Sequence, residues 1–310
     1  MLGLNPDNSL HLTERTFNRS MGLSIVGNTM WMSSMFQLWR FENSLGPGEG
    51  FEGYDRIYIP QMAYTTGDLD IHDIIVPEDG KPMFVNTLFS CLARPSETHS
   101  FRPVWKPPFI SRLAPEDRCH LNGMAARDGA PAYVTAVGKS DTADGWREHR
   151  TGGGLVMDVR TDDILAEGLA MPHSPRWHDG RLWILEAGSG YFGYMDLSQG
   201  TFEKVAFCPG FLRGLAFSGA YALAGTSSVR KNHTFSGLPL EQNLEKHGAE
   251  ARCSIRIIHT HTGNTEHWLR LKGMVDELYD VAVVPQCQRP LIIGTQRDEI
   301  KKMISIEPER

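Results

Sequence analysis

The apolar residues of this chain fall into short runs that are separated by tight-turn residues. The clearest example is PHSPRWHDGRLWILE at residues 172–186, where two apolar segments flank an Asp179–Gly180 pair. An Asp-Gly pair between two short apolar segments is a strong signal for a two-residue β-hairpin turn. The pattern therefore predicts two antiparallel strands joined at Asp179 and Gly180.

The same pattern recurs along the chain. Similar pairs of apolar segments around a turn occupy residues 22–33, 73–86, 122–135, 213–225 and 280–294. Most copies are followed by further strand-like segments, such as GGLVMDV and TFEKVAF. Four short antiparallel strands repeated every 40 to 55 residues or so are typical of a β-propeller.

We therefore expect an all-β protein in which residues 1–310 form a single six-bladed β-propeller with four-stranded antiparallel blades. The predicted blades span residues 22–60, 72–103, 121–169, 173–207, 213–271 and 279–306. The last blade supplies only three strands. We expect an N-terminal strand around Leu10 to Thr13 to complete it, because ring closure removes exposed sheet edges.

Four sequence blocks carry a resemblance to a known family: HLNG at 120–123, MPHSPRWHDGRLW at 171–183, PGFLRGLAF at 209–217 and DELYDVAVVP at 276–285. They resemble an uncharacterised bacterial family of propeller-like proteins, a domain of unknown function. More distantly, the layout is similar to six-bladed propellers of the gluconolactonase and senescence-marker type. The resemblance implies the propeller fold and no established reaction.

Composition narrows the classes of partner. The formal net charge is -6 and the sequence pI is about 6.1, which argues against nucleic acid or an anionic membrane as a partner. No apolar run approaches the roughly 20 residues that a membrane-spanning helix needs. The five cysteines are scattered and no secretory signal is visible. We expect a cytoplasmic protein with reduced thiols.

Candidate site residues follow from the propeller geometry, in which the innermost strands begin around one mouth of the channel. Aligning the copies places at these starts Gly22, Asp73, Asn122, His173, Arg213 and Asp280. Further candidates beside them are His72, His120, Ser174, Glu186, Arg230 and Glu277. Such a ring predicts a small-molecule site. The other interpretation is structural, since buried polar groups also hold water and tie blades together.

The ring supports two chemical schemes. In the first, one divalent metal is bound by Asp73, Asn122, His173 and Asp280; oxygen ligands suit Ca²⁺, and a histidine favours Mn²⁺, Fe²⁺ or Zn²⁺. In the second, His173 is the acid/base catalyst, oriented by Asp280 or Asp73, with Glu277 or Glu186 as a second acid/base.

In both schemes Arg213 binds an anionic group of the substrate, because a guanidinium cannot ligate a metal. Arg230, His120, Ser174 and Glu186 are the other predicted substrate-binding residues.

Two functions are consistent with these features. The first is an enzyme that acts on a small anionic substrate by hydrolase, lyase or isomerase chemistry. The second is a non-catalytic propeller that holds a peptide, a glycan or a protein partner. The long connection at residues 226–252 is predicted to be either a lid over the channel mouth or the partner surface.

Overall fold

The chain folds into antiparallel sheets that surround one channel. The computed structural model describes residues 1–228, 236–273 and 275–307. Within these ranges the strands form five sheets of four or more strands and one two-stranded hairpin. We number the strands β1 to β23 in chain order and call the five larger sheets blades 1 to 5.

The strands have the following bounds. The N-terminal hairpin consists of β1 (Leu2–Leu4) and β2 (Leu10–Leu12). Blade 1 contains β3 (Leu23–Val26), β4 (Thr29–Ser33), β5 (Gln37–Asn43) and β6 (Arg56–Thr65). Blade 2 contains β7 (Ile71–Ile75), β8 (Met83–Asn86), β9 (Cys91–Arg94) and β10 (Arg102–Trp105). Blade 3 contains β11 (Leu121–Arg127), β12 (Ala130–Ala136), β13 (Gly154–Asp158) and β14 (Ile164–Leu169).

Blade 4 contains β15 (Pro172–His178), β16 (Arg181–Glu186), β17 (Tyr191–Asp196) and β18 (Thr201–Phe207). Blade 5 contains β19 (Phe211–Ser218), β20 (Tyr221–Ser227), β21 (Ser254–His259) and β22 (Thr265–Arg270). The last strand is β23 (Pro290–Ile292), and the helical elements are α1 (Pro239–Lys246) and the 3-10 turns Gly145–His149 and Asp298–Lys301.

The hairpin predicted at residues 172–186 is confirmed. His178 pairs with Arg181 across the turn, and Asp179 and Gly180 have φ values of 48° and 73°. Both residues are therefore in the left-handed region that a tight two-residue hairpin turn requires. The first strand of each blade lies beside the channel, and the fourth lies at the rim.

Apolar side chains from consecutive blades fill the spaces between them. Trp183 and Phe192 of blade 4 stack with ring centroids 5.0 Å apart, and they pack in one buried cluster with Ala222 and Ala224 of blade 5. Similar clusters join blades 1 and 2, blades 2 and 3, and blades 3 and 4. The protein is thus an all-β propeller with four-stranded antiparallel blades, as predicted.

The predicted number of six blades is wrong, because the described residues form five. Residues 276–285 occupy the sixth position beside the channel, but no strand is formed there in the part of this segment that the structure describes. The chain then turns at Pro285, and β23 pairs in parallel with β6 of blade 1. After β23 the described chain, to residue 307, contains the 3-10 turn Asp298–Lys301 and irregular segments.

Hydrogen bonds place residues 278–280 in the sixth inner position. The Leu278 N–H donates to Ser227 Oγ at 3.0 Å, and the Leu23 N–H donates to Asp280 Oδ2 at 2.9 Å. The predicted closure by residues 10–13 is not found among the strands of the described chain, since β2 pairs with β1. The ring is closed on this side by one extended segment.

Asp55 ties this segment to blade 1. Its carboxylate accepts hydrogen bonds from the backbone N–H groups of Gln288 at 2.7 Å and Arg289 at 2.9 Å. The Gln288 carbonyl in turn accepts from the Leu4 N–H at 2.7 Å, so the N-terminal hairpin is held at the same point. A single carboxylate therefore anchors the chain where the ring closes.

Replacing Asp55 with alanine should lower the free energy of unfolding by about 2 kcal/mol, because two backbone donors lose a charged acceptor. Urea unfolding followed by tryptophan fluorescence measures this change. Asp7→Ala is the matched control, because Asp7 also accepts a backbone N–H, from Ser9, but in an exposed turn. Equal losses of stability in the two variants would contradict a special role for Asp55 in closure.

The five cysteines are free, and four of them are buried. Among the described residues, no helix combines the length and apolarity needed to cross a bilayer.

Candidate functional site

The starts of the inner strands carry two sets of side chains, which lie at different depths along the channel. Strands β7, β11, β15 and β19 each have an irregular pairing register near their start. Such β-bulges change which face a residue occupies. Simple alignment of the copies therefore mixed the two sets.

The first set lies where adjacent inner strands approach closely. A Cβ on Gly214 would lie 2.7 Å from Asp280, and one on Gly123 would lie 2.2 Å from Pro175. Ser174 Oγ accepts the Gly214 N–H at 3.0 Å, and Asp73 Oδ2 accepts the Met124 N–H at 3.0 Å. This set ties neighbouring blades together.

Arg176 lies at the centre of the first set and contacts several blades. Its guanidinium donates to Asp73 Oδ2 at 2.7 Å and Oδ1 at 3.1 Å, and its Nε–H donates to the Leu215 carbonyl at 3.1 Å. Asp280 Oδ1 lies 3.6 Å from Arg176 Nη2. We call Arg176, Asp73 and Asp280 the arginine clamp.

The arginine clamp contains two carboxylates and one guanidinium. Burial raises the pKa of Asp280 to about 7, and the nearby Asp73 carboxylate adds to this rise while Arg176 opposes it. Burial lowers the pKa of Arg176, but the Asp73 and Asp280 carboxylates raise it by more, so the pKa lies above its ordinary value. Arg176 is therefore charged, and Asp73 is its bidentate partner.

The channel opens on one side of the arginine clamp. A cavity of about 710 Å³ is lined by Arg176 and by the inner-strand residues that follow the clamp, such as Ile74, Phe217 and Val283. None of the site histidines described below lines it. The clamp thus lies between this cavity and the second set of side chains.

The second set contains three histidines, His72, His120 and His173, which we call the histidine cluster. The rings of His72 and His120 are 4.9 Å apart between centroids, and those of His120 and His173 are 6.3 Å apart. His120 and His173 are only 6% and 2% exposed. Three imidazoles therefore meet at one end of the inner strands.

The Nδ1 atom of each histidine faces an oxygen. His72 Nδ1 lies 2.9 Å from the Asp70 carbonyl, and His173 Nδ1 lies 2.9 Å from the Met171 carbonyl. His120 Nδ1 lies 2.9 Å from Asp117 Oδ2. Because these oxygens accept hydrogen bonds, the network assigns the Nδ1 proton to each ring.

Asn122 fixes the other ring nitrogen of His173. Thr135 Oγ1 donates to Asn122 Oδ1 at 2.7 Å, so the amide NH₂ group is directed towards His173 Nε2 at 3.4 Å. His173 Nε2 is therefore the unprotonated, accepting nitrogen of a neutral imidazole.

Burial and neighbouring positive charge keep two of the histidines neutral. Burial lowers the pKa of His72 to about 4, and burial together with the Arg213 cation lowers the pKa of His173 well below its usual value. The Arg213 guanidinium lies over the rings of Phe211 and Tyr279, at 5.5 and 5.0 Å from their centroids. Neutral imidazoles beside a guanidinium suit proton transfer and anion binding.

Two long connections lie at this end of the channel. Trp146, in the turn Gly145–His149 of blade 3, packs on His120 with ring centroids 4.3 Å apart. Arg150 Nη2 donates to the Ser236 carbonyl at 3.1 Å, which joins this connection to the one in blade 5. Helix α1 is fixed on blade 4 by the Leu240 N–H, which donates to the Gly188 carbonyl at 2.8 Å. Trp146 therefore caps the histidine cluster on the His120 side.

The structure separates the predicted site residues. His173, Asn122, His120 and Arg213 belong to the second set, as does the neighbour His72. Asp73 and Asp280 belong to the arginine clamp, and Ser174 contacts the backbone of the next blade. Glu277 lines a small cavity with Phe211, Arg213, Ser227 and Tyr279.

The remaining predicted residues lie apart from the cluster or outside the described chain. Glu186 is 8% exposed, accepts the Ala170 N–H at 3.2 Å and accepts the Ser189 hydroxyl, so its contacts are internal to the fold. Arg230 lies outside the described residues.

The four predicted metal ligands are not brought into one ligand set. The guanidinium of Arg176 holds the Asp73 carboxylate and lies beside that of Asp280, whereas Asn122 and His173 contact each other. Over the part of the chain that is described, no group of three or more His, Cys, Asp or Glu side chains is arranged to hold a metal ion. These residues do not fit the predicted metal centre.

Sequence analysis missed Arg176, Asp117 and Trp146. Arg176 follows Ser174 by two residues. The register shift between His173 and Arg176 breaks the alternation of side chains along the strand, so alternation did not predict which way Arg176 points. Asp117 precedes His120 by three residues, and this short spacing was the sequence feature from which their contact could have been predicted. Trp146 lies in a long connection, where the sequence pattern does not predict contacts.

The fold and the site define a β-propeller with a capped channel end that is lined by histidines. The chain belongs to the family described as Domain of unknown function (DUF4915), whose model matches residues 1–293. The predicted resemblance to an uncharacterised propeller family is therefore confirmed. A search of curated proteins finds no match to this sequence.

Solved propellers are similar to this chain at low identity. A calcium-binding protein, regucalcin, from Agrobacterium tumefaciens strain C58 has a TM-score of 0.55 and 12% identity, covering 87% of this chain and 79% of that chain. A chain of a nidogen/laminin complex has a TM-score of 0.51 and 12% identity, with coverages of 81% and 80%. A putative gluconolactonase has a TM-score of 0.49 and 13% identity, with coverages of 82% and 89%. At these identities, the likeness shows the fold alone.

Proposed function

We propose that this protein is an enzyme that acts on a small anionic substrate at the capped end of the channel. The observation that supports this proposal is the meeting of three histidines with Arg213 at one end of the inner strands. Buried imidazoles with fixed tautomers are costly to retain as mere packing groups, since each needs hydrogen-bond partners. A site for proton transfer gives them a role.

The chemistry in this proposal is proton transfer without a required metal. Arg213 binds the carboxylate, phosphate or sulfate of the substrate, and His173 Nε2 accepts a proton. Hydrolase, lyase and isomerase reactions all use such a step. Elemental analysis of the purified protein tests for a bound divalent metal.

His173→Gln should lower turnover at least 100-fold, because the amide side chain cannot accept and return a proton as an imidazole does. Arg213→Gln should raise the KM for anionic substrates more than it lowers kcat. The measurement is ¹H NMR of the protein with mixtures of small lactones, hydroxycarboxylates and phosphate esters. The thermal midpoint of each variant is recorded in parallel.

His178→Gln is the matched control, because His178 lies on the same strand as His173 but on the cavity side of the arginine clamp. It should keep turnover within about threefold of the unmodified protein. If none of these compounds is converted and none raises the thermal midpoint, the enzyme proposal fails. Equal losses in the His173 and His178 variants would also count against it.

The alternative proposal is a non-catalytic propeller that binds a peptide, a glycan or a protein partner through residues 226–252. It is favoured by helix α1, which is fixed on blade 4 while Glu241, Gln242 and Glu245 are exposed. Reversing the charge of Glu241 and Glu245 would then weaken partner binding without changing any turnover.

A further inference from the structure

His120 differs from the other two histidines in its Nδ1 partner. His72 and His173 contact backbone carbonyls, whereas His120 contacts the Asp117 carboxylate at 2.9 Å. The difference follows from the position of each histidine in the repeat. The residue directly before each of these inner strands has a left-handed backbone conformation, with φ values of 53° at Asp70, 49° at His120 and 48° at Met171. His72 and His173 stand two residues later in the repeat.

Trp146 strengthens this arrangement. Its indole N–H donates to the same Asp117 oxygen at 2.8 Å, and its ring packs on the His120 imidazole at 4.3 Å. The carboxylate is therefore held in place by two donors. An aromatic face beside an imidazole also favours the positively charged form of that imidazole.

We propose that Asp117 and Trp146 are positioning residues that hold His120 as a proton donor, while neutral His173 is the proton acceptor of the same site. This inference rests on the proposed function. A carboxylate partner stabilises an imidazolium, and a backbone carbonyl does so much less. Two acid/base groups of one site are thereby given opposite roles by their surroundings.

The resulting reaction balances its protons. His173 Nε2 exchanges its 3.4 Å contact with the Asn122 amide for the substrate and takes a proton from a C–H or O–H group of that substrate. His120 Nε2–H gives a proton to the substrate atom that gains electron density. The two histidines exchange charge states, and a return of the proton through solvent restores them. The substrate class is therefore an anion that undergoes elimination or isomerisation through paired proton transfer.

Other charges face His120 from the surrounding elements. His72 and His173 are neutral, and Arg213 opposes the imidazolium. The Asp70 carboxylate, 3.6 Å from His72 Nδ1, supports it. The Asp117 carboxylate contacts the His120 ring directly, at 2.9 Å, so its removal should change the charge state of His120.

Long-range ¹H–¹⁵N NMR of the imidazoles tests this assignment without any substrate. At pH 7, His120 should show two protonated nitrogens and His173 only a protonated Nδ1. Spectra of His120→Gln and His173→Gln assign the signals. In Asp117→Asn, His120 should become neutral while the His173 signals stay within a few parts per million of their original positions.

Asp141→Asn is the control, because Asp141 is a loop carboxylate that pairs with Arg118 and makes no contact with the histidine cluster. It should leave all imidazole signals unchanged. If Asp117→Asn does not fold, Trp146→Phe removes one of the two donors that hold the carboxylate, and it should shift the His120 signals while those of His173 stay in place.

A neutral His120 in the unmodified protein, or an imidazolium that persists in Asp117→Asn, would overturn the inference. The enzyme proposal fails separately, through an absence of turnover in the compound mixtures. The two results are independent, because the NMR spectra are recorded without substrate.

Discussion

Arg176→Met should lower the free energy of unfolding by about 3 to 5 kcal/mol, because it leaves two buried carboxylates without their cation. Asp73 loses a bidentate partner, and the Leu215 carbonyl loses its hydrogen bond. The substitution keeps a long apolar side chain, so the lost charge dominates the effect. Urea unfolding at pH 7 measures the change.

Arg181→Met is the matched control for this substitution. Arg181 lies on the next strand of the same blade, where its guanidinium is exposed and lies 4.4 Å from the centroid of the Tyr194 ring. Its loss should cost well under 1 kcal/mol, as exposed charges usually do.

A second variant tests the electrostatic reason directly. Adding Asp73→Asn and Asp280→Asn to Arg176→Met removes both carboxyl groups that lost their cation and should restore at least half of the lost stability. If the triple variant is no more stable than Arg176→Met, the clamp stabilises the ring through shape and not through charge.

Acid should destabilise the fold through the histidine cluster. Burial holds the pKa of His72 at about 4, so His72 binds a proton more readily in the unfolded chain, where its pKa is about 6.5. Stability is therefore lost as the pH falls below about 6.5, by about 3 kcal/mol for this residue once the pH is below 4. His173 acts in the same direction, because its pKa is also lowered.

Asp280 acts in the opposite direction over part of this range. Its pKa is raised to about 7 in the fold, so it favours folding when protonated, and its contribution is lost as the pH rises from about 4 through 7. The histidine effect is therefore best isolated by comparing variants. Urea unfolding at pH 7, 6, 5 and 4 should show a shallower acid loss in His72→Asn than in the unmodified protein.

His261→Gln is the control for the pH series, because His261 is an exposed histidine of the outer turn in blade 5. Its pH profile should overlay that of the unmodified protein. An unchanged acid loss in His72→Asn would contradict the assignment of this effect to the cluster.

Features that depend on neighbouring residues could be predicted from the sequence, and features that depend on distant residues could not. The Asp179–Gly180 turn and its two strands could be predicted because they depend on neighbouring residues and on local backbone preference. The same holds for the repeated four-stranded units. The predicted number of blades was wrong because of residues 276–285. They have the apolar pattern of an inner strand but lack the partner strands of a complete blade.

The limit of prediction from local sequence patterns is clearer at the candidate site. His173, Asn122 and Arg213 could be selected because their copies share a position in the repeat, and His120 because it lies beside that position. Asp73 and Asp280 were grouped with them, since alternation along a strand is a local rule and the bulges at the strand starts break it.

The sequence by itself determined the repeated hairpins, the all-β class and the family, because these follow from periodicity and turn residues along short stretches of chain. Only the tertiary structure decided that Arg176 holds Asp73 beside Asp280, and that Asp117 and Trp146 meet His120. These contacts join residues that are distant in sequence or separated by irregular backbone. They exist because packing the blades around one channel brings those side chains together, and no local pattern specifies that.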